Sequence, residues 1–351
     1  MQVVEMIADK TYRIAIVGAS SLAGKELSDG LSESIFAASS FTLLDEDNAT
    51  GQIAAAGDEI SFIQKIDGSS FEGADVVFFA GDRDAATKHW RAARSAGAGI
   101  VDLTNALEGE DGVPVRSPWI SDANSEGVGA VSLETSAIVA AHPAAVMLGL
   151  VAKRLAFKAT VKSISATVLE PASQYGRSAM DELHQQTVSL LSFQSLPREQ
   201  YDAQAAFNLL PALGEEAKIK LSEAETRIAK QYRLLATGMP ELILQLMHAP
   251  VFHSYVVSMF VELEDAMTVE QVELAVLGEH IDLVSQESEP PSNLSAAGQE
   301  QIIVRVESAA NDGLSKRFKL LLAADNLKLA VANAIACARE LVQLRPLGKV
   351  Q

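Results

Sequence analysis

The chain has 351 residues, of which 48% are hydrophobic and 21% charged, and its formal net charge at pH 7 is -18. This length suits two domains with separate cores, and so acidic a chain argues against nucleic acid or membranes as partners. A single cysteine excludes an intrachain disulfide and a cysteine metal cluster, and we predict no metal site. Residues 1–10 lack the basic start and apolar run of a signal peptide, which favours a soluble cytoplasmic protein.

Short apolar runs alternate with helix-like stretches in the first part of the chain. A strand predicted at Tyr12–Val17 ends at a glycine, and a helix at Leu22–Leu31 follows after a short turn. Further strands are predicted at Phe41–Leu44, Val76–Ala80, Ile100–Leu103 and Val139–Ala141, with a helix at Asp84–Ala96. Strands that alternate with helices form a parallel sheet covered on both faces, so this part predicts an α/β, Rossmann-like domain.

The pattern changes after a helix predicted at Ala144–Lys158, which Pro143 introduces. The run Val251–Leu263 alternates strictly, which indicates a strand with one covered face. The other predicted strands are Val161–Leu169, Ile302–Val306 and Phe318–Ala323, and the predicted helices are Ser178–Ser192, Glu215–Tyr232 and Val269–Leu277. This pattern predicts an α+β domain with a largely antiparallel sheet. Residues Gln286–Gly298 predict an exposed loop, and Asn326–Leu344 predicts the last helix.

The turn between the first strand and the first helix has the chemistry of a phosphate loop. It reads Gly18-Ala-Ser-Ser-Leu-Ala-Gly24. Its glycines allow the backbone to approach a pyrophosphate, and the amides of Leu22 and Ala23 begin a helix whose positive end attracts an anion. Ser20 or Ser21 can cap the helix and donate to a phosphate oxygen. The strict Gly-x-Gly-x-x-Gly pattern is absent, so the alternative is an ordinary capped turn.

The second predicted strand is followed by three acids, Asp45, Glu46 and Asp47. An acid at this place usually accepts hydrogen bonds from the ribose hydroxyls of NAD and repels the extra phosphate of NADP. The alternative is a solvated acidic turn. The sequence therefore predicts NAD or NADP as the cofactor, with NAD favoured.

Four motifs lie in order along nearly the whole chain. They are GASSLAG, VVFFAGDRDAATKHWRAARSAGAGIVDLTNA, EPASQYGRSAMDELHQQT and ADNLKLAVANAIACARELV, and together they resemble aspartate-semialdehyde dehydrogenases. The resemblance implies an NAD(P)-binding domain formed by residues 1–141 and 325–351, to which the C-terminal helix returns, and a dimerisation domain at residues 142–324. It also implies a homodimer or a tetramer, and it assigns Gly81 and Asn326 to the cofactor site.

The resemblance also implies a reaction, which this chain lacks the nucleophile to perform. In that family a cysteine attacks the aldehyde, hydride passes to the cofactor, and phosphate cleaves the resulting thioester. The family's Asn-Pro-Asn-Cys-Ser motif matches Ala141-His-Pro-Ala-Ala145-Val146 here. Ala145 therefore falls on the cysteine, and a methyl group cannot attack a carbonyl. His142 lies near this position and is a candidate for the hydrogen-bonding role of an asparagine.

Other substrate-binding positions of the family differ as well. The phosphate-binding arginine corresponds to Glu108, which follows Thr104–Leu107, and a carboxylate there opposes an acyl phosphate. The usual glutamine of the second domain corresponds to Glu170, and a substrate-binding arginine corresponds to His248. A Glu-Thr-Arg motif is kept at Glu225–Arg227. The substrate-like pocket implied by the resemblance comprises Asn105, Glu108, His142 and Arg227.

Two further residues bear on catalysis. The family's catalytic histidine follows a Pro-Val pair by a short glycine-containing turn, and the segment from Pro250 to His253 is a shortened form of it. His253 is therefore either that acid–base group or a histidine on the covered face of the predicted strand. The one cysteine, Cys337, lies on the apolar side of the last helix, and we predict that it is a small core residue.

Three functions are consistent with these features. The first is a family member that binds NAD(P) and dimerises but lacks the ancestral activity at Ala145. The second is an active oxidoreductase that transfers hydride directly, with His253 or His142 as the acid. The third is a non-catalytic regulatory subunit that binds a partner protein and keeps only a vestigial nucleotide loop.

Overall fold

The computed structural model describes residues 11–46, 51–56, 59–120, 131–309 and 313–344. The chain folds into two compact units, one made of Met1–His142 with Ala330–Gln351 and the other of Pro143–Leu329. The predicted domain boundaries lie after residues 141 and 324, and the units divide after His142 and after Leu329. No helix within the described ranges combines the length and the apolar character needed to cross a bilayer.

The first unit contains a seven-stranded sheet in which all neighbouring strands run parallel. The strands of this unit are β1 (Arg13–Val17), β2 (Ser40–Asp45), β3 (Ile53–Ala56), β4 (Glu59–Phe62), β5 (Gln64–Lys65), β6 (Val76–Phe79), β7 (Gly99–Asp102), β8 (Val115–Arg116) and β9 (Ala137–Ala140). Its helices are α1 (Leu22–Ser32) and α2 (Arg83–Ser95). The sheet order is β5-β2-β1-β6-β7-β9-β8, and β3 and β4 form a separate hairpin.

The second unit contains a six-stranded mixed sheet. Its strands are β10 (Val161–Glu170), β11 (Leu242–His248), β12 (Tyr255–Met267), β13 (Ile281–Leu283), β14 (Ile302–Ser308) and β15 (Ser315–Ala324). Its helices are α3 (Pro143–Ala156), α4 (Arg177–Leu191), α5 (Leu221–Leu235), α6 (Val269–Val276) and α7 (Asn293–Ala296), and α8 (Asn326–Leu344) follows. The order is β11-β10-β12-β15-β14-β13; the three inner pairs are antiparallel and the two edge pairs parallel. The predicted largely antiparallel sheet is confirmed.

Strand β1 shows why the first sheet is covered on both faces. Successive side chains of a strand point to opposite faces, and Ile14 and Ile16 belong to one buried cluster while Ala15 and Val17 belong to another. Residues of α8 from Val331 onward fill the first cluster, and residues of α2 fill the second. The Rossmann-like architecture predicted for this part of the chain is confirmed.

The second sheet has one covered face and one largely open face. Helices α3, α5 and α6 contact its strands, and the buried residues of β12 alternate from Tyr255 to Leu263. On the open face the strand register aligns a row of residues across five strands, which are Ile243, Ser165, Phe260, Lys319 and Glu307. Ile243 is 72% exposed and Phe260 50% exposed. Helix α7 covers only one end of this face, where Ala296 packs against Ile303 and Ala323.

Three sequence predictions were wrong in detail. The strand predicted to begin at Val251 begins at Tyr255, because the carbonyls of Val251 and Phe252 accept hydrogen bonds from the turn that follows β10, and Ser254 adopts a φ of 75°. The helix predicted at Glu215–Tyr232 spans Leu221–Leu235. The loop predicted at Gln286–Gly298 contains α7, which Ser292 caps and the buried side chain of Ala296 anchors.

Candidate functional site

The phosphate loop is built on a very close approach of two glycines in the first unit. Gly18 has a φ of 84°, and a Cβ added to it would lie 2.3 Å from Cα of Gly81. A Cβ added to Gly24 would lie 2.1 Å from the carbonyl oxygen of Gly18. No other residue fits these positions without a shift of the backbone. The loop after β1, the start of α1 and the end of β6 therefore form one bare backbone surface.

The amino end of α1 opens onto this surface. Ser21 caps the helix, because its hydroxyl oxygen accepts a 2.9 Å hydrogen bond from the amide of Gly24 and its hydroxyl donates to the carbonyl of Ala80. Within the described ranges, the amides of Leu22 and Ala23 have no hydrogen-bond partner. Free amides at a helix start beside bare glycine backbone fit the phosphates of a dinucleotide.

The acid at the end of β2 is tied to the same loop. The carboxylate of Asp45 accepts hydrogen bonds of 2.9 Å from the amides of Ser20 and Glu46. The carboxylate of Glu46 instead accepts from Lys88 and His89, each at 3.3 Å. Ser20 thus offers its hydroxyl, but not its amide, to a phosphate. The third acid, Asp47, lies outside the described residues.

The loop after β7 contains Asn105 and Glu108, two residues of the predicted pocket. The buried carboxyl group of Asp102 accepts hydrogen bonds from this loop. Asp102 accepts hydrogen bonds from the amide and hydroxyl of Thr104, at 2.8 and 2.6 Å, and from the amide of Leu107 at 2.9 Å. Burial raises the pKa of Asp102, and these hydrogen bonds oppose the rise. Asn105 in this loop is 8% exposed with a φ of 57°, and Glu108 is half-buried.

The position that the sequence resemblance predicts for the nucleophile is an alanine, Ala145. Ala145 lies in the first turn of α3 with its side chain fully buried, as are those of Ala144 and Val146. His142 precedes the helix in the chain and is 3% exposed. The first turn of α3 therefore presents methyl and isopropyl groups at the position predicted for the nucleophile.

The one thiol of the chain lies elsewhere. Cys337 on α8 is fully buried in the core of the first unit, and its Sγ is 3.7 Å from the carbonyl oxygen of Arg116. Burial raises the pKa of this thiol far above its usual range. Arg116 is also buried and pairs with Glu340 on the same helix. The prediction that Cys337 is a core residue is confirmed.

A buried carboxyl group marks the end of β10 in the second unit. Glu170 is fully buried, and its two oxygens accept hydrogen bonds from the hydroxyls of Tyr175, at 2.5 Å, and Tyr255, at 2.9 Å. Desolvation raises the pKa of Glu170 to about 7, while the two tyrosines and the charge of Arg227 act in the opposite direction. This carboxyl group exchanges its proton near neutral pH.

A buried histidine stands at the end of the neighbouring strand. His248 is the register partner of Glu170 in the parallel pairing of β11 with β10. Its ring lies 4.7 Å from the ring of Tyr201 and has no exposed surface. In the described part of the chain, neither ring nitrogen has a hydrogen-bond partner. Burial lowers the pKa of His248 to about 4, so the imidazole is uncharged at neutral pH.

Asn326, which the resemblance assigned to the cofactor site, has its side-chain oxygen occupied. Oδ1 accepts from the hydroxyl of Ser173 at 3.0 Å and from the amide of Ser254 at 3.1 Å. Its Nδ2 has no partner among the residues that the structure describes. The bond to Ser254 holds the residue that follows His253, and His253 itself is half-buried in a loop. The interpretation of His253 as a histidine on a strand face is therefore wrong.

The Glu-Thr-Arg motif lies on α5. Glu225 accepts a 2.7 Å hydrogen bond from the amide of Leu246 and so fixes the helix to β11. Arg227 is half-buried and lies near enough to Glu170 for its charge to lower the pKa of that carboxyl group. Glu225 thus has a structural role, and the charge of Arg227 interacts with the carboxyl group of Glu170.

The structure gathers the predicted residues into separate groups. In the first unit the loop from Gly18 to Gly24 meets Asp45 and Gly81, and in the second unit Arg227 lies near Glu170. The tyrosines that surround Glu170 and His248 were missed from the sequence; they are Tyr175, Tyr201 and Tyr255. A signal was available for Tyr255, which opens the alternating strand on the covered side.

Comparison with known proteins gives two family matches. Residues 13–128 match the model of the semialdehyde dehydrogenase NAD binding domain, and residues 153–329 match the model of the semialdehyde dehydrogenase dimerisation domain. The second match alone covers half of the chain. Both matches agree with the resemblance described above.

Individual proteins are similar over nearly the full length. An aspartate-semialdehyde dehydrogenase of Rickettsia bellii is 24% identical over 340 residues, which cover 95% of this chain and 98% of the relative. A USG-1 protein homolog of Pseudomonas aeruginosa is 27% identical over 339 residues, with coverage of 94% and 97%. The structure of a probable aspartate-semialdehyde dehydrogenase from Pseudomonas aeruginosa superposes with a TM-score of 0.82 at 24% identity, covering 96% and 100% of the two chains. That last likeness bears on the fold alone.

Proposed function

Because the chain belongs to the semialdehyde dehydrogenase family, we propose that it retains NAD(P) binding and self-association but does not perform the family's thioester chemistry. The first unit is the family's NAD-binding domain and the second its dimerisation domain. The observation that carries the proposal is the fully buried methyl group of Ala145 at the start of α3. A bound nicotinamide would supply hydride transfer, and the remaining steps of the reaction need a nucleophile that this helix does not offer.

No other residue of the chain supplies a thiol in its place. The sequence contains one cysteine, Cys337, which is fully buried in the core of the first unit with a raised pKa. A thiol held protonated in a core neither attacks an aldehyde nor binds a metal. The proposal therefore does not depend on Ala145 alone, because a displaced nucleophile is also absent.

The charges at the predicted pocket support the same conclusion. An acyl phosphate or an aspartate-like substrate carries negative charge, and such groups are bound by arginine and lysine. Glu108 and Glu170 are acids, and His248 is uncharged at neutral pH. The one basic residue of the predicted pocket, Arg227, acts on Glu170. These positions favour neither the substrate nor the phosphate of the family reaction.

The open face of the second sheet supports a homodimer. Two exposed apolar side chains, Ile243 and Phe260, lie on this face beside a groove of about 350 Å³. The charges that line the groove are paired, Lys319 with Glu307 at 2.5 Å and Arg317 with Glu262 at 3.8 Å. The chain has a net charge of -18, but this face is locally neutral. Two copies can therefore pack through it with little electrostatic repulsion. We infer that two copies pack through this face around a two-fold axis.

A phosphate-dependent assay tests the proposal. Purified protein is mixed with aspartate semialdehyde, phosphate and either NAD or NADP, and reduction of the cofactor is followed by absorbance. We expect no rate above that of a heat-denatured sample, while calorimetry of the same preparation detects binding of the cofactor. A phosphate-dependent rate that is lost on heating would refute the proposal. Absence of cofactor binding would instead favour a vestigial nucleotide loop.

A second candidate function is direct hydride transfer without a covalent intermediate. The observation in its favour is Glu170, whose carboxyl group exchanges a proton near pH 7 and receives hydrogen bonds from Tyr175 and Tyr255. Groups with such pKa values serve as general acids and bases. Turnover of uncharged aldehydes or alcohols that falls strongly in a Glu170→Gln variant would select this candidate.

A further inference from the structure

The ends of β10 and β11 hold a cluster of polar side chains within the second unit, and all of its residues except Tyr175 are buried. It consists of Glu170, Tyr175, Tyr201, His248 and Tyr255. Glu170 and His248 are register partners on neighbouring strands, so their side chains project from the same face. We propose that this cluster is a binding site for a small uncharged molecule carrying a hydroxyl or amide group, with His248 as the residue that recognises it.

The first step concerns the ring nitrogens of His248. The imidazole has no exposed surface, and within the described ranges Nδ1 and Nε2 lack any hydrogen-bond partner. A neutral imidazole carries one donor and one acceptor. Buried polar atoms in folded proteins are nearly always hydrogen-bonded to protein, water or a ligand. Two such atoms on one ring indicate a partner that the described part of the chain does not provide.

The second step is that the backbone of His248 is fixed by hydrogen bonds and its ring is packed. Its amide donates to the carbonyl of Leu210 at 2.9 Å, and its carbonyl accepts from the amide of Leu210 at 3.0 Å. The next amide, that of Ala249, donates to the carbonyl of Glu170 at 2.9 Å. The ring packs on Tyr201 at 4.7 Å. The backbone of His248 is therefore in place before any ligand arrives, and the ring packs on Tyr201, which favours selective binding.

The third step concerns the neighbours, whose polar groups are already used. Both oxygens of Glu170 accept from tyrosine hydroxyls, and the hydroxyl of Tyr201 donates to the carbonyl of Ala179 at 2.9 Å. The imidazole is left as the group that can bind a new molecule. Tyr175 is the one residue of the cluster that is partly exposed, and it marks the side on which the cluster comes nearest to the surface.

The fourth step excludes charged ligands. An anion would meet the Glu170 carboxyl group and an imidazole that burial keeps uncharged. The nearby cation, Arg227, already acts on Glu170. A cation would find the oxygens of Glu170 taken up by Tyr175 and Tyr255. An alcohol, an amide or a hydrated aldehyde offers both a donor and an acceptor without charge, which matches the free capacity of the ring.

The inference rests on the proposed function, since it names the class of molecule that the second unit accepts in place of an anionic substrate. The test uses two probes of nearly the same shape, glycolamide, which is uncharged, and glycolate, which is an anion. Binding to the full chain without cofactor is followed by NMR through the ring nitrogens of ¹⁵N-labelled histidine. We expect glycolamide to shift one ring of an uncharged histidine and to bind about tenfold more tightly than glycolate at neutral pH.

Two variants identify that ring. His248→Phe keeps the contact with Tyr201 and removes both nitrogens, and we expect it to lose the shifted resonance and the binding of glycolamide. His184→Phe changes an exposed histidine on α4. We expect this variant to keep the shifted resonance and the binding of glycolamide. If His248→Phe does not fold, the relative affinities of glycolamide and glycolate for the unmodified protein still test the inference.

Three results would overturn the inference. They are tighter or equal binding of glycolate, unchanged binding of glycolamide to His248→Phe, and no binding of glycolamide at its solubility limit. This experiment measures binding and not turnover. A failure of the inference can therefore be distinguished from a failure of the proposed function. Phosphate-dependent oxidation of aspartate semialdehyde would refute the proposed function while a selective shift of His248 would still support the site.

Discussion

Tyr255 donates a 2.9 Å hydrogen bond to Oε1 of Glu170, across the antiparallel pairing of β12 with β10. Together with Tyr175 it gives the buried carboxyl group a hydroxyl partner for each oxygen. The desolvation of Glu170 nevertheless outweighs these bonds, and its pKa rises from 4.5 to about 7. The proton of Glu170 is therefore coupled to the stability of the second unit.

Glu170→Gln should alter the dependence of stability on pH. Because the pKa of Glu170 is higher in the folded than in the unfolded state, its contribution is fully present below the unfolded pKa and is lost as pH rises through about 7. Between about pH 5 and pH 8 the free energy of unfolding of the unmodified protein should fall, relative to the variant, by roughly 3 kcal/mol. Urea titrations of both proteins across this pH range measure the free energy of unfolding. Identical pH profiles would contradict the assignment, and Tyr255→Phe, which keeps the carboxyl group, should retain the decline.

Ala145→Cys should not restore the family reaction. The new thiol would be as buried as the methyl group it replaces, so its pKa would rise and little thiolate would form. Glu108 and His248 would also remain at the positions where the resemblance predicts arginines that bind phosphate and substrate. The phosphate-dependent assay should stay at background while mass spectrometry confirms the substitution. Robust turnover by this single variant would mean that the substrate site is intact.

Gly18→Ala should weaken nucleotide binding. The added Cβ would lie 2.3 Å from Cα of Gly81, and φ is 84°, so the loop must move. We expect the affinity for NAD, measured by calorimetry, to fall by at least about tenfold. Gly112→Ala is the matched control, because Gly112 in the same unit has a φ of 74° and nothing within 4 Å of an added Cβ. Equal losses in both variants would show that strain alone is responsible.

NAD should bind at least as tightly as NADP, and Asp45 should be the reason. Its carboxylate is held beside the loop by the amide of Ser20 at 2.9 Å, where it would repel a ribose phosphate. Asp45→Asn keeps an acceptor for Ser20 and removes the charge, so the affinity for NADP should rise by about tenfold with little change for NAD. Glu46→Gln, one residue away, serves as control. A clear preference of the unmodified protein for NADP would refute this role.

Phe260→Lys should weaken self-association. The side chain is 50% exposed on the open face of the second sheet, and a lysine there would place a charge within an apolar contact. We expect sedimentation analysis to show a shift from dimer to monomer, with a rise in the dissociation constant of at least about tenfold. Phe157→Lys, at an exposed phenylalanine beyond the end of α3, should leave the dimer intact. Dissociation in both variants, or in neither, would place the interface elsewhere.

Local patterns predicted most of the architecture. The apolar run around Ile14 and Ile16 and the alternation of β12 reflect burial of one or two strand faces, which is visible in any short window. Strand β11 was missed because its leucine-rich sequence suits a helix equally well, and it forms only by pairing with β10, more than seventy residues earlier. The start of β12 was misplaced because Ser254 adopts a left-handed conformation and its amide bonds to Asn326, which lies 72 residues later in the chain.

The candidate site could be predicted in part. The prediction that Ala145 replaces the nucleophile rests on one aligned motif, and the prediction of a phosphate loop rests on the glycines of the βα turn. The hydrogen bond from Ser20 to Asp45 and the tyrosines around Glu170 depend on side-chain conformation and on strand register. No spacing rule along the chain expresses the contacts of Ser20 with Asp45 and of Glu170 with Tyr255, because the partners lie 25 and 85 residues apart.

The burial of Cys337 has a practical consequence for experiments on this protein. A thiol enclosed by the core of the first unit should resist maleimide and iodoacetamide while the chain is folded. A cysteine introduced at an exposed position would then be the only one to take a spectroscopic label, with no need to delete the native one first. The same resistance makes alkylation of Cys337 a sensitive reporter of unfolding in the first unit.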